Sequence, residues 1–171
     1  MGQESAFAAV ALPHLDAAYN LARWLTGGAD EAEDVVQEAM VRALTYFPSF
    51  RGANPRAWIL QIVRNAAYAA LTARRGAQAR LAGGDDELDD LPDQADTPEV
   101  ALLRAREKSR LDRLIGRLPL DLRETLVLRE LEEMPYRDIA QVTGAPIGTV
   151  MSRLWRARRL LAEAARKGEA A

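Results

Sequence analysis

Between Arg153 and Arg159 the chain carries four arginines, and Thr149 and Ser152 lead into them in the run PIGTVMSRLWRARRLL. Guanidinium forks donate to guanine edges or to phosphate oxygens, and short hydroxyls reach bases or backbone. That is the chemistry of holding nucleic acid, not of making or breaking bonds. Several arrangements that catalysis could use are missing. There is no cysteine, which removes thiol nucleophiles, thiolate metal sites and disulfides together. The single histidine, His14, has no glutamate three residues before it, so a Glu-x-x-His metal pair cannot be built. It reads as an ordinary helix residue. No glycine loop suited to phosphates is present, and no catalytic residue, metal or cofactor is expected. The chain reads as a binding protein, not an enzyme.

An arginine cluster means little until something aims it. At about 100° per residue, Ile147, Val150, Leu154, Ala157 and Leu161 fall on one apolar arc. Thr149, Ser152, Arg153, Arg156 and Arg159 fall opposite, while Arg158 points nearer the apolar side. Upstream, Tyr136 to Val142 predicts a short helix with Ile139, Ala140 and Val142 inward. Gly144 then permits a tight turn, and the last helix starts at Pro146 or Ile147. This pattern predicts a helix-turn-helix whose second helix enters the DNA major groove. A solvated basic edge on a helical hairpin is the plainer alternative. The small residue at the crossing, the glycine turn and the cationic outer face together favour DNA.

The rest of the chain reads as all-α, since alanine, leucine and arginine abound and runs of β-branched residues are scarce. A first helix, Pro13 to Thr26, stops at Gly27-Gly28. Asp30 and Glu33 are spaced as a capping box for a helix reaching about Phe47. Its predicted apolar stripe is Val35, Val36, Ala39, Met40, Ala43, Leu44 and Phe47. Asn54 is placed to cap a third helix from Pro55 to about Arg75. Thr97-Pro98 opens a helix to about Arg117, and Pro119 precedes another through Leu131.

Charge divides the chain more sharply than composition does. Residues 1–75 balance seven acids with seven bases, residues 76–99 set eight acids against Arg80, and residues 100–171 carry fifteen bases against ten acids. The acidic stretch GDDELDDLPDQADTP, Gly84 to Pro98, is too polar to offset its ordering entropy and reads as a flexible linker. Two small helical domains, 1–76 and 99–171, are therefore expected about a linker at 77–98. No apolar run approaches a membrane span and no export signal opens the sequence. A cytoplasmic protein without membrane insertion is expected.

With these segments in place the sequence resembles the extracytoplasmic-function (ECF) sigma factors of the sigma-70 family. YRDIAQVTGAPIGTVMSRLWRARRLL is similar to that family's promoter-recognition helix-turn-helix. DEAEDVVQEAMVRAL resembles its core-polymerase-binding helix, and FRGANPRAWILQIVRN its promoter-melting loop and helix. One helix-turn-helix is weakly specific; three motifs in the family's order are highly specific.

The resemblance implies an initiation factor that binds core RNA polymerase, directs it to promoters and helps melt the −10 region. Duplex contact at the −35 element would fall to Thr149, Ser152, Arg153, Trp155, Arg156 and Arg159. Single-strand capture would fall to Arg51, Gly52, Ala53, Asn54, Arg56, Arg64 and Asn65, with Trp58 as core or supporting wall. The face of Asp34, Gln37, Glu38 and Arg42 would grip the β′ clamp helices, and the β flap and an anti-sigma factor complete the implied partners. From spacing alone that face is only a water-facing edge.

Two departures from the family stand out. After Asn65 the chain reads AAYAALTARR, where many members carry a dense arginine run, and Met151 sits where many have a cation. A dimeric repressor would use the C-terminal half but leave the first 75 residues idle. A scaffold protein would have no use for the patterned basic face.

Overall fold

The computed structural model describes residues 2–81 and 109–169. Among them all regular structure is helical. Helix α1 spans Gly2–Ala11 and a 3₁₀ turn, Leu12–His14, leads into α2, Leu15–Thr26. Helix α3 runs Ala29–Tyr46, a second 3₁₀ turn covers Phe47–Ser49, and α4 runs Pro55–Leu81. In the C-terminal part, residues 109–116 form α5, and α6 is Leu120–Leu126. A π-helical turn, Val127–Leu131, extends α6 before α7, Tyr136–Thr143, and α8, Ile147–Glu169. The acidic segment Gly84 to Pro98 and the expected helix start at Thr97-Pro98 lie outside the described residues.

Local chemistry explains most of the boundaries. Gly27 ends α2 at φ 84°, a left-handed angle that costs glycine nothing, and its N–H donates to the Arg23 carbonyl. Asn54 caps α4 as its position suggested: its side-chain oxygen accepts the Ala57 N–H at 3.1 Å. The capping box at Asp30 does not form. Helix α3 starts two residues earlier than a cap at Asp30 would place it, at Ala29, with Gly28 as a cap that supplies no side-chain bond. Helix α4 continues past Arg75 to Leu81, because no proline interrupts TARRGAQARL and a single helical glycine, Gly76, costs only about 1 kcal/mol.

Helices α2, α3 and α4 pack on one another. Leu21 and Leu25, Val35, and Ile59, Leu60 and Val63 fill the space between them, each at most 2% exposed. Alanines at 18, 22, 32, 39, 43, 57, 66 and 67 are fully buried, and their small side chains let the three axes approach closely. Leu44, expected on the apolar stripe of α3, is exposed instead, because the stripe drifts round the helix toward its C-terminal end.

The C-terminal part closes around Leu122, Leu126, Leu128, Met134, Ile139, Val142, Val150, Leu154 and Ala157, all buried. Gly144 ends α7 at φ 73° and turns the chain into α8. Thr143 braces that turn. Its hydroxyl donates to the Ile139 carbonyl at 2.8 Å and accepts the Ala145 N–H at 3.3 Å. The two parts also touch: α7 packs against α4, and α6 against α2. Their apolar residues form one continuous cluster.

Candidate nucleic-acid interface

Helix α8 divides as its periodicity predicts. Val150, Leu154 and Ala157 are buried, whereas Ser152, Arg156 and Arg159 are exposed and Thr149 is half-buried. Ile147, expected inward, is 45% exposed because the first turn overhangs the core. The outward arginines differ in what already holds them. Arg153 is half-buried, with its Nε 3.7 Å from the Asp121 carboxylate. Arg159 pairs with Glu163 at 3.1 Å and lies over the Trp155 ring at 5.3 Å. Arg158 does not tuck inward; it reaches back to Glu130 at 2.6 Å and stays exposed. Arg156 makes no hydrogen bond or ion pair with any described residue, so its donors face water. Trp155 and Met151 are also exposed, at 61% and 52%. They add an apolar strip beside the cations, suited to base methyl groups.

The second group sits at the start of α4. Arg51, Gly52 and Ala53 are exposed, and the Arg51 guanidinium folds back to the Pro48 carbonyl at 2.7 Å. Beneath them lies an aromatic cluster. Phe50 stacks on Trp58 with centroids 4.4 Å apart, and Phe47 meets Phe7, Phe50 and Trp58. Trp58 is therefore a half-buried wall under the loop. Sequence spacing gave Phe50 no role, yet its ring also confines Gly52, where an added Cβ would lie 2.9 Å from it.

Arg56, Arg64 and Asn65 lie farther along α4, and here the C-terminal part intervenes. Arg64 grips Glu124 as a fork, Nε to Oε2 at 3.0 Å and Nη2 to Oε1 at 3.3 Å, and the Glu124 side chain is fully buried. Arg56 donates to both the carboxylate and the backbone carbonyl of Glu132, at 2.9 and 2.7 Å. Asn65 remains exposed. Burial pushes the Glu124 carboxyl above the usual carboxylate range, against the hydrogen bonds and charge of Arg64 that pull it down. Tyr68 lies under the Arg64 guanidinium, 3.8 Å from cation to ring. Its buried hydroxyl has no partner in hydrogen-bonding geometry.

Burial and the neighbouring Glu124 charge push the Tyr68 phenol to about 12. An unfolded tyrosine ionises near pH 10, so the folded chain holds an extra proton between these values. Stability from this group is complete below about pH 10 and drains away as the pH rises toward 12. Phenolate absorbance should show one tyrosine ionising last, and Tyr68→Phe should remove that late step.

The third face lies on α3. Asp34, Gln37 and Glu38 are exposed and Arg42 is half-buried, with Glu38 and Arg42 joined as an i,i+4 pair. Exposed Val41, Leu44 and Tyr46 border the same helix, an apolar flank that the charge pattern alone concealed. No group of His, Asp or Glu side chains among the described residues is arranged to hold a metal ion.

Residues 11–77 match the family described as Sigma-70 region 2, and residues 108–161 match Sigma-70, region 4. The RNA polymerase sigma-H factor of Pseudomonas aeruginosa is 38% identical over 146 residues, covering 80% of this chain and 74% of that one. The ECF RNA polymerase sigma-E factor of Haemophilus influenzae is 36% identical over 138 residues, covering 77% and 73%. Among solved structures, the sigma factor RpoE of Bartonella quintana, in complex with the anti-sigma factor NepR, aligns with a TM-score of 0.73. That alignment has 30% identity and covers 89% of this chain and 91% of that one. Two helical parts in this order, the second ending in a helix-turn-helix, define a sigma-type initiation factor. The chain belongs to the ECF sigma factors of the sigma-70 family. Its function is promoter-specific transcription initiation with RNA polymerase.

Proposed function

We propose that the two parts divide promoter recognition, residues 1–76 binding core polymerase and the −10 element and residues 99–171 the −35 element. The observation that carries this is the split of α8, with Val150, Leu154 and Ala157 buried and Arg156 exposed and outward. Thr149, Ser152, Arg153, Trp155, Arg156 and Arg159 contact the duplex, and Asp121 holds Arg153 in place for it. Arg51, Gly52, Ala53 and Asn54 form the rim over Phe50 and Trp58 that receives an unpaired base, while Arg56, Arg64 and Asn65 take strand phosphates. Asp34, Gln37, Glu38 and Arg42 engage the β′ clamp helices, and the helix-turn-helix part meets the β flap.

The factor lowers the cost of opening by binding, without catalysis of its own. It acts in the cytoplasm; no described helix is long and apolar enough to cross a membrane. The Bartonella quintana relative is bound to an anti-sigma factor, and an inhibitor of that class is assigned here too.

Exchanging Glu38 and Arg42 tests the polymerase face while preserving their mutual pair, because Glu38→Arg with Arg42→Glu only inverts the surface. Combined with Asp34→Lys, the exchange should weaken core polymerase binding on the order of 10-fold, about 1.4 kcal/mol. Helical content should not change. Unaltered affinity in a titration would return this face to a solvated edge.

A further inference from the structure

Ile147, Met151 and Trp155 all stand exposed on α8. Their spacing of four residues stacks them along one stripe of the helix's first turns. A single exposed apolar side chain needs no explanation, but three in register form a patch. The core does not call for them, since Val150, Leu154 and Ala157 already fill the inner side. At about 100° per residue the stripe borders directly on the arc of Ser152, Arg156 and Arg159. Arg159 even lies over the Trp155 ring. Whatever meets those cations therefore meets the stripe as well.

We infer that Met151 is a specificity-determining residue that reads the C5-methyl group of a thymine in the −35 duplex. This deepens the duplex contact assigned to α8 and rests on it. Thymine methyls are the apolar groups that base edges present in the major groove. Met151 has no donor to offer the N7 and O6 acceptors of guanine. Packed against that base it would leave both acceptors shut off from water and unpaired, which counts against guanine. Discrimination thus has an attractive part and a repulsive one. The unbranched thioether turns about three bonds and fits itself to a small methyl group. Trp155, one turn on, and Ile147, one turn back, screen that contact from water. A protein covering the stripe would have to answer the adjoining guanidinium groups with acids. Duplex DNA supplies acceptors and methyl groups side by side.

Holoenzyme reconstituted with the full chain first selects its −35 element from a pool of randomised promoter duplexes. Each thymine of that element is then replaced singly by uracil, which removes the methyl group and leaves every hydrogen-bonding edge in place. In competition binding, one replacement should weaken the complex about 4-fold, the worth of one buried methyl. Met151→Ala should bind the thymine and uracil duplexes alike at that position. Met151→Arg should prefer guanine there by about 10-fold, because a guanidinium fork can use N7 and O6. Met151 is exposed, so helical content should hold in both variants. If uracil is harmless at every position while Arg156→Ala still weakens duplex binding, α8 reads DNA without the stripe and the inference alone fails. If Arg156→Ala also leaves binding unchanged, the duplex assignment of α8 fails and takes the inference with it. An equal loss on thymine and uracil duplexes in Met151→Ala would give this side chain to a polymerase contact and overturn the thymine reading.

Discussion

Asn54→Asp should slow open-complex formation on duplex promoters on the order of 10- to 100-fold, equivalent to about 1.4 to 2.7 kcal/mol of barrier. The choice of aspartate matters because Asn54 has two jobs. Its oxygen caps α4 at the Ala57 N–H, so an alanine there would also cost about 1 kcal/mol of helix stability and blur the result. Aspartate keeps the cap and sits well at a helix N-terminus. What it loses is the amide donor, and what it gains is a negative charge at the rim where an unpaired base and its phosphates must enter. Thermal stability should therefore hold while melting fails. A premelted bubble should recover most of the rate, since unstacking has been done in advance. A defect as large on the bubble as on the duplex would remove the loop from melting.

Arg156→Ala should cost about 1–3 kcal/mol of promoter affinity and relax preference at one base pair, the signature of a lost bidentate contact. The structure singles out Arg156 because its guanidinium is exposed and engaged by no described side chain. Arg159 is already drawn to Glu163 and laid over Trp155, so it suits a phosphate beyond the base-reading turn. Arg159→Ala should weaken all sequences alike and reduce the salt dependence of binding by about one counterion. Binding to a set of −35 variants at several salt concentrations separates the two. A bubble template should not rescue Arg156→Ala, and rescue equal to that of Asn54→Asp would overturn the division of roles.

Much of this molecule follows from the chain alone. The helix-turn-helix was legible because Val150, Leu154 and Ala157 recur at helical spacing and Gly144 marks the turn. The α4 cap was legible because Asn54-Pro55 is a local signal whose partner lies three residues on. The order of the three motifs gave the family. Signals of this kind span a few residues, so periodicity and capping chemistry carry them. The local reading failed where two signals competed, as at Asp30, where Gly28 and the packing of Ala32 set the start of α3 two residues earlier.

The pairing of Arg64 with Glu124 and of Arg56 with Glu132 belongs to the tertiary structure alone. Their partners are 60 and 76 residues away, across the acidic segment. No period or spacing links such positions, and an arginine marked for DNA looks the same in sequence whether it faces solvent or a carboxylate. Only the packing of α7 on α4 and of α6 on α2 brings these opposite charges to one seam. There, exclusion of water makes each charge require a partner, and the fold supplies it from the other half.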